Sequence, residues 1–180
     1  MTSPLDIASE RGVASGETRH GPLVALDRFD PSACRADVAE IERVNPHRHE
    51  MRLLDRVIWI SDDYVESAGE HVIPAEPFWA RGHFPSRPTM PGVLMVESGA
   101  QLGCYLWNIR QDVPRVAAFL RIDGVAFRAP VVPGDRLLLL SREVKCGRRR
   151  FVTDLQGLVG DQVAFEARIT GMAMEEHKPA

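Results

Sequence analysis

The chain has 180 residues, of which 44% are apolar and 26% charged, a composition that suits one globular domain with a substantial core. Its formal charge of -3 argues against a global pull toward nucleic acid or anionic membrane, and no run of about 18 apolar residues is present to span a bilayer. The N-terminus lacks the basic-then-apolar pattern of a secretory signal, and Cys34, Cys104 and Cys146 fit neither a disulfide framework nor a zinc knuckle, so a cytoplasmic protein is expected.

Residues 1–34 mix Gly, Ser, Pro and charges without a clear apolar period and read as a flexible N-terminal extension, with Leu23-Val24-Ala25-Leu26 the stretch suited to docking. Asp30-Pro31-Ser32 reads as a helix start. Val38, Ile41 and Val44 then recur at helical spacing until Asn45-Pro46 ends the run. Residues 53–60 and 64–73 are candidate strands, followed by a Pro- and Gly-rich stretch over 74–92. Residues 91–109, PGVLMVESGAQLGCYLWNI, have no charged face, which predicts a buried helix with Pro in its first turn; Gly99, Ala100 and Gly103 keep it thin. Further strands are predicted over 116–120, 124–127, 136–145, 149–159 and 162–172, with Pro133-Gly134-Asp135 a turn and Gly160-Asp161 a hairpin between the last two strands. One buried helix amid about six or seven strands suggests an α+β domain with antiparallel sheet.

Glu97 is the oddest residue, a carboxyl about two turns into the apolar helix. Desolvation there would favour its protonated form, as a general acid needs. Gln101 lies one turn later on the same face and could hydrogen-bond it. Reaching the surface, or pairing with Arg121 or Arg128, is the alternative. His83, in Gly82-His83-Phe84-Pro85, is a proton carrier on a loop stiffened by Pro85, Pro88 and Pro91, although a loop histidine can equally be a polar surface residue. The amide of Gly92 or Val93 at the helix start could hold a carbonyl that gathers negative charge. Phe84 and Pro91 complete the candidate substrate contacts. His47 and His49 could face the same way on a strand, but no further ligand clusters with them and no metal site is expected. Lys145, Arg148, Arg149 and Arg150 form a basic run at a hairpin, either a solvated turn or a docking surface for an acidic partner.

Three ordered stretches carry a resemblance: ADVAEIERVNPHR leading into LLDRV, then GHFPSRPTMPGVLMVESGAQ, then FRAPVVPGDRLLL. Over about Arg35 to Met174 the sequence resembles the 3-hydroxyacyl-acyl-carrier-protein dehydratases of type II fatty-acid synthesis. The resemblance implies a hot-dog fold over residues 35–174, an antiparallel sheet wrapped around one long helix, with 175–180 a short tail. It also implies a homodimer whose sheets join, often further associated as a trimer of dimers, with His83 of one subunit facing Glu97 of the other. In that arrangement His83 takes the α-proton, Glu97 assists departure of the β-hydroxyl as water, Gly92 supplies an amide to the thioester carbonyl and Gln101 orients Glu97. No metal or redox cofactor is implied, and the acyl group arrives on the phosphopantetheine of acyl carrier protein.

The sequence departs from the family's pattern at three places. His49-Glu50-Met51 replaces an aromatic and apolar stretch, Ser98-Gly99 replaces bulkier residues in a way that would widen the pocket floor, and 77–83 is one residue longer, an excess a bulge could absorb. A hot-dog thioesterase or a non-catalytic acyl-binding subunit are the competing functions; the first would need a positioned water, and the second would have no need of both His83 and Glu97.

Overall fold

A computed structural model of the chain describes residues 21–177; the first 20 residues of the expected extension and the last three of the tail lie outside the described residues. Two helices and six strands follow in order: α1 (Val38–Val44), β1 (Arg56–Ile60), β2 (Glu66–Val72), α2 (Gly92–Asn108), β3 (Arg115–Phe127), β4 (Arg136–Cys146), β5 (Arg150–Val159) and β6 (Gln162–Glu176). The strands form one antiparallel sheet in the order β1-β2-β4-β5-β6-β3. α2 packs across β2, β4, β5 and β6, the arrangement of a hot-dog fold, as expected.

Alternation along the strands divides the core in two. Val57, Leu137 and Leu139 face α2 with Leu102, Trp107 and Phe165, whereas Ile58, Leu138 and Leu140 face the other side. That second face is covered by the segment before α1. Leu23 and Val24 are buried against it, the Leu23 amide donates to Gln156 Oε1 at 2.7 Å, and the Arg142 guanidinium holds the Leu23 carbonyl.

α1 begins seven residues later than the Asp30-Pro31 signal suggests. Asp30 instead closes a turn, accepting from the Ser32 amide at 2.8 Å, and Ala36 is drawn into a bridge with Val57. Asp37 is the helix cap, its carboxylate accepting from the Glu40 amide at 2.9 Å. The two segments expected at 116–120 and 124–127 are one strand. Irregular pairing with β6 carries β3 through Arg121-Ile122-Asp123, and Gly124, at φ +57°, supplies the left-handed residue such a bulge needs. Gly134 and Gly160 likewise adopt positive φ in the two turns expected around them.

Candidate active site

The path of α2 sets up the site. From Met95 to Asn108 every residue is buried except Glu97, whose side chain is 17% exposed. Small residues allow the close fit. A Cβ on Gly99 would come within 3.1 Å of the Phe165 ring and 3.2 Å of Leu155. Gly99 therefore faces the sheet, and Ser98 is fully buried with its hydroxyl donating to the Leu94 carbonyl at 2.9 Å. Neither borders the cavity at Glu97, so the expectation that Ser98-Gly99 widens a pocket floor is corrected: both belong to helix–sheet packing.

Glu97 opens into a cavity of about 340 Å³ with one polar end and apolar walls that include Ala100, Ala117, Ala118 and Phe151. Gln101 Nε2 donates to Glu97 Oε1 at 2.9 Å. The amide of Gln101 cannot be reversed, because its Oε1 accepts from the Leu53 amide at 2.9 Å while Nε2 also donates to the Met51 carbonyl at 2.8 Å. The second contact of Glu97 is His47, whose Nε2 lies 3.2 Å from the same Oε1. The alternative arginine partners are engaged elsewhere, Arg121 with Asp123 and Arg128 with Glu166. Cys104 lines the same cavity, and burial, helped by the nearby Glu97 charge, pushes its thiol up to about 12. It stays protonated near neutrality and is no nucleophile.

His83 stands in a separate, open cleft of about 900 Å³ together with Thr89, Pro91, Gly92, Val93, Phe127 and Arg128. Residues 77–83 form two overlapping turns, with the Ala80 amide donating to the Pro77 carbonyl and the His83 amide to the Trp79 carbonyl. The buried Trp79 anchors them, so residues 77–83 form a turn-rich loop and not a bulged strand. His83 Nδ1 lies 2.7 Å from the Thr89 carbonyl. A carbonyl only accepts, so Nδ1 carries a proton, and in the neutral ring Nε2 is the nitrogen with the lone pair. Phe84 stacks on the imidazole with centroids 4.1 Å apart. At the start of α2 the amides of Gly92 and Val93 have no helix carbonyl to reach. The Phe127 ring lies so close to Gly92 that a Cβ there would come within 2.6 Å of it.

The structure thus gathers His83, Pro91, Gly92 and Val93 around one cleft, with Phe84 stacked on His83, and Glu97 with Gln101 at another. Within one chain His83 and Glu97 line different cavities. Lys145 and Arg148 to Arg150 are exposed around the β4–β5 hairpin, which is pinned to the far end of α2 by Trp107 Nε1 donating to the Gly147 carbonyl at 3.0 Å. His47 and His49 do not share a strand face: His49 is exposed in a short 3-10 turn while His47 turns inward to Glu97. Among the described residues no group of three or more His, Cys, Asp or Glu is placed to hold a metal ion. No described helix is long and apolar enough to cross a membrane. Sequence reasoning missed the His47–Glu97 contact, for which the only signal was a histidine held just after a helix-ending Asn-Pro.

The comparisons with known proteins bear on the family and the fold. The FabA-like domain profile matches residues 45–168. The bifunctional enzyme LpxC/FabZ of Bacteroides thetaiotaomicron is 40% identical over 135 residues, which cover 73% of this chain and 29% of that protein. The 3-hydroxyacyl-(acyl-carrier-protein) dehydratase FabZ of Albidiferax ferrireducens is 38% identical over 138 residues, covering 74% of this chain and 91% of the relative. Among solved structures, the dehydratase heterocomplex ApeI:P of Xenorhabdus doucetiae superposes with a TM-score of 0.64 at 16% identity, covering 75% of this chain and 91% of that one, a likeness of fold. With a family match over most of its length and a near full-length relative at this identity, the chain belongs to the FabA-like dehydratase family.

Proposed function

We propose that the protein is a hydro-lyase that removes water from a (3R)-3-hydroxyacyl thioester on acyl carrier protein, giving the trans-2-enoyl thioester of fatty-acid or related acyl-chain synthesis. The observation that carries the reading is His83, a base held through Nδ1 by the Thr89 carbonyl on the wall of an open cleft. His83 Nε2 takes the α-proton, the C–H electron pair forms the Cα–Cβ double bond, and the C–O bond breaks as Glu97 delivers its proton to the departing hydroxyl. The amide of Gly92 or Val93 receives the thioester carbonyl as it gains charge. The reaction balances with no redox partner or metal.

One chain does not complete this site. Among the described residues β3 is an edge strand bonded only to β6, and it exposes Phe119, Leu120, Ile122, Val125 and Phe127. A long apolar edge of this kind calls for cover. Antiparallel joining of two β3 edges in a homodimer would supply it and bring His83 of one copy toward Glu97 of the other. The exposed arginines at 148–150 suit an acidic carrier protein, and the free thiols Cys34, Cys104 and Cys146 suit the cytoplasm.

Purified protein should hydrate a trans-2-enoyl thioester, read as loss of the conjugated thioester absorbance. His83→Ala and Glu97→Gln should each slow this by about a hundredfold or more. Full activity in either variant removes the assigned mechanism, and release of free thiol with the double bond intact would instead identify a thioesterase.

A further inference from the structure

We propose that His47 is a positioning residue for Glu97, and that Oε2 of Glu97 is the oxygen that transfers the proton. The proposal rests on the dehydratase reading above and extends it to a residue outside the His83–Glu97 pair. His47 Nε2 at 3.2 Å and Gln101 Nε2 at 2.9 Å converge on the same oxygen, Oε1. Gln101 can offer only its N–H there, because its own oxygen is taken by the Leu53 amide.

His47 is held as firmly. Pro46 limits the backbone before it, and the Asn45 side chain donates to the Gln101 carbonyl at 2.8 Å. Arg48 ties the segment down, its guanidinium donating to the carbonyls of Asn45 and His47 at 2.8 Å each and to that of Glu42 at 2.6 Å. His47 Nδ1 is buried without a protein partner. An acceptor lone pair tolerates that position better than an N–H would, so the hydrogen sits on Nε2, the nitrogen beside Glu97.

Oε1 therefore accepts the Gln101 N–H and has His47 Nε2 beside it at 3.2 Å, while no protein donor among the described residues is hydrogen-bonded to Oε2. A proton on Oε1 would compete with the Gln101 N–H and crowd His47 Nε2. On Oε2 it competes with neither, and that oxygen is left for the cavity. When the proton departs, the charge that remains is met by the Gln101 hydrogen bond already in place and by the His47 ring beside it.

The test is a double-mutant cycle on hydration of a short trans-2-enoyl thioester. His47→Leu, and His47→Phe as a second variant that keeps a ring, should lower kcat by roughly ten- to a hundredfold with KM changed by less than about threefold. His47→Gln, whose amide N–H can reach Oε1, should recover to within about fivefold of the parent. Added to Glu97→Gln, the His47 changes should cost nothing further. Equal losses in both backgrounds, or a His47→Gln variant as slow as His47→Leu, overturn the proposal. An impaired Glu97→Gln beside fully active His47 variants overturns it alone, whereas a fully active Glu97→Gln overturns the dehydratase mechanism as well.

Discussion

Asp55 joins the entry of β1 to the end of β2. Its carboxylate, 26% exposed, is 2.8 Å from His71 Nδ1, accepts from the Val72 amide at 2.8 Å and from Arg52 Nη1 at 2.6 Å. Burial alone would raise its pKa, but the hydrogen bonds from His71, Val72 and Arg52 together outweigh that and hold it below the ordinary 3.8. A carboxyl whose folded pKa is depressed adds stability that is full above the unfolded value and lost as the pH falls through the folded one. Asp55→Asn should therefore lower unfolding stability by about 1–3 kcal/mol at neutral pH. The gap from the parent should close as urea titrations are repeated below about pH 4; a gap that stays constant would sink this account. Glu97 was legible because a carboxyl inside an apolar run is costly without a purpose. The role of His47 was not, since 50 residues separate it from its partner and only the chain's path brings them within reach.

At the level of elements, glycines that accommodate rings decide the packing. Phe151, 2% exposed, stacks on Trp107 with centroids 5.2 Å apart and walls the Glu97 cavity. A Cβ on Gly171 of β6 would lie 2.3 Å from that ring. Gly171→Ala should displace Phe151 and cost about 1–3 kcal/mol in thermal or urea unfolding, and adding Phe151→Leu should restore part of it. A neutral Gly171→Ala would mean that the ring has room to move. α2 was readable almost residue for residue, because an uncharged stretch with Pro at its start admits few other structures. α1 was misplaced since Asp30 and Asp37 are both competent caps locally. The bridge from Ala36 to Val57, a contact between distant segments, excludes the earlier start.

For the whole molecule, the separation of His83 and Glu97 into two cavities of one chain yields the sharpest consequence. If joined β3 edges complete the site, His83→Ala and Glu97→Gln subunits, each nearly inactive alone, should complement when co-expressed. Random pairing would give up to about a quarter of parental activity, because each mixed dimer contains one intact site. Mixed dimers without recovered activity would place both groups of a site in one chain.

The amino-acid pattern alone determined the class of fold, the buried helix, its acid and the loop histidine, because these follow from local periodicity and from the cost of burying charge. Tertiary structure decided which nitrogen of His83 is free, which oxygen of Glu97 is occupied, and that residues 21–29 cover the outer face of the sheet. The cover by residues 21–29 and the approach of His47 to Glu97 depend on contacts between residues far apart in the chain, and the His83 contact depends on the path of its loop; local preferences carry no record of either.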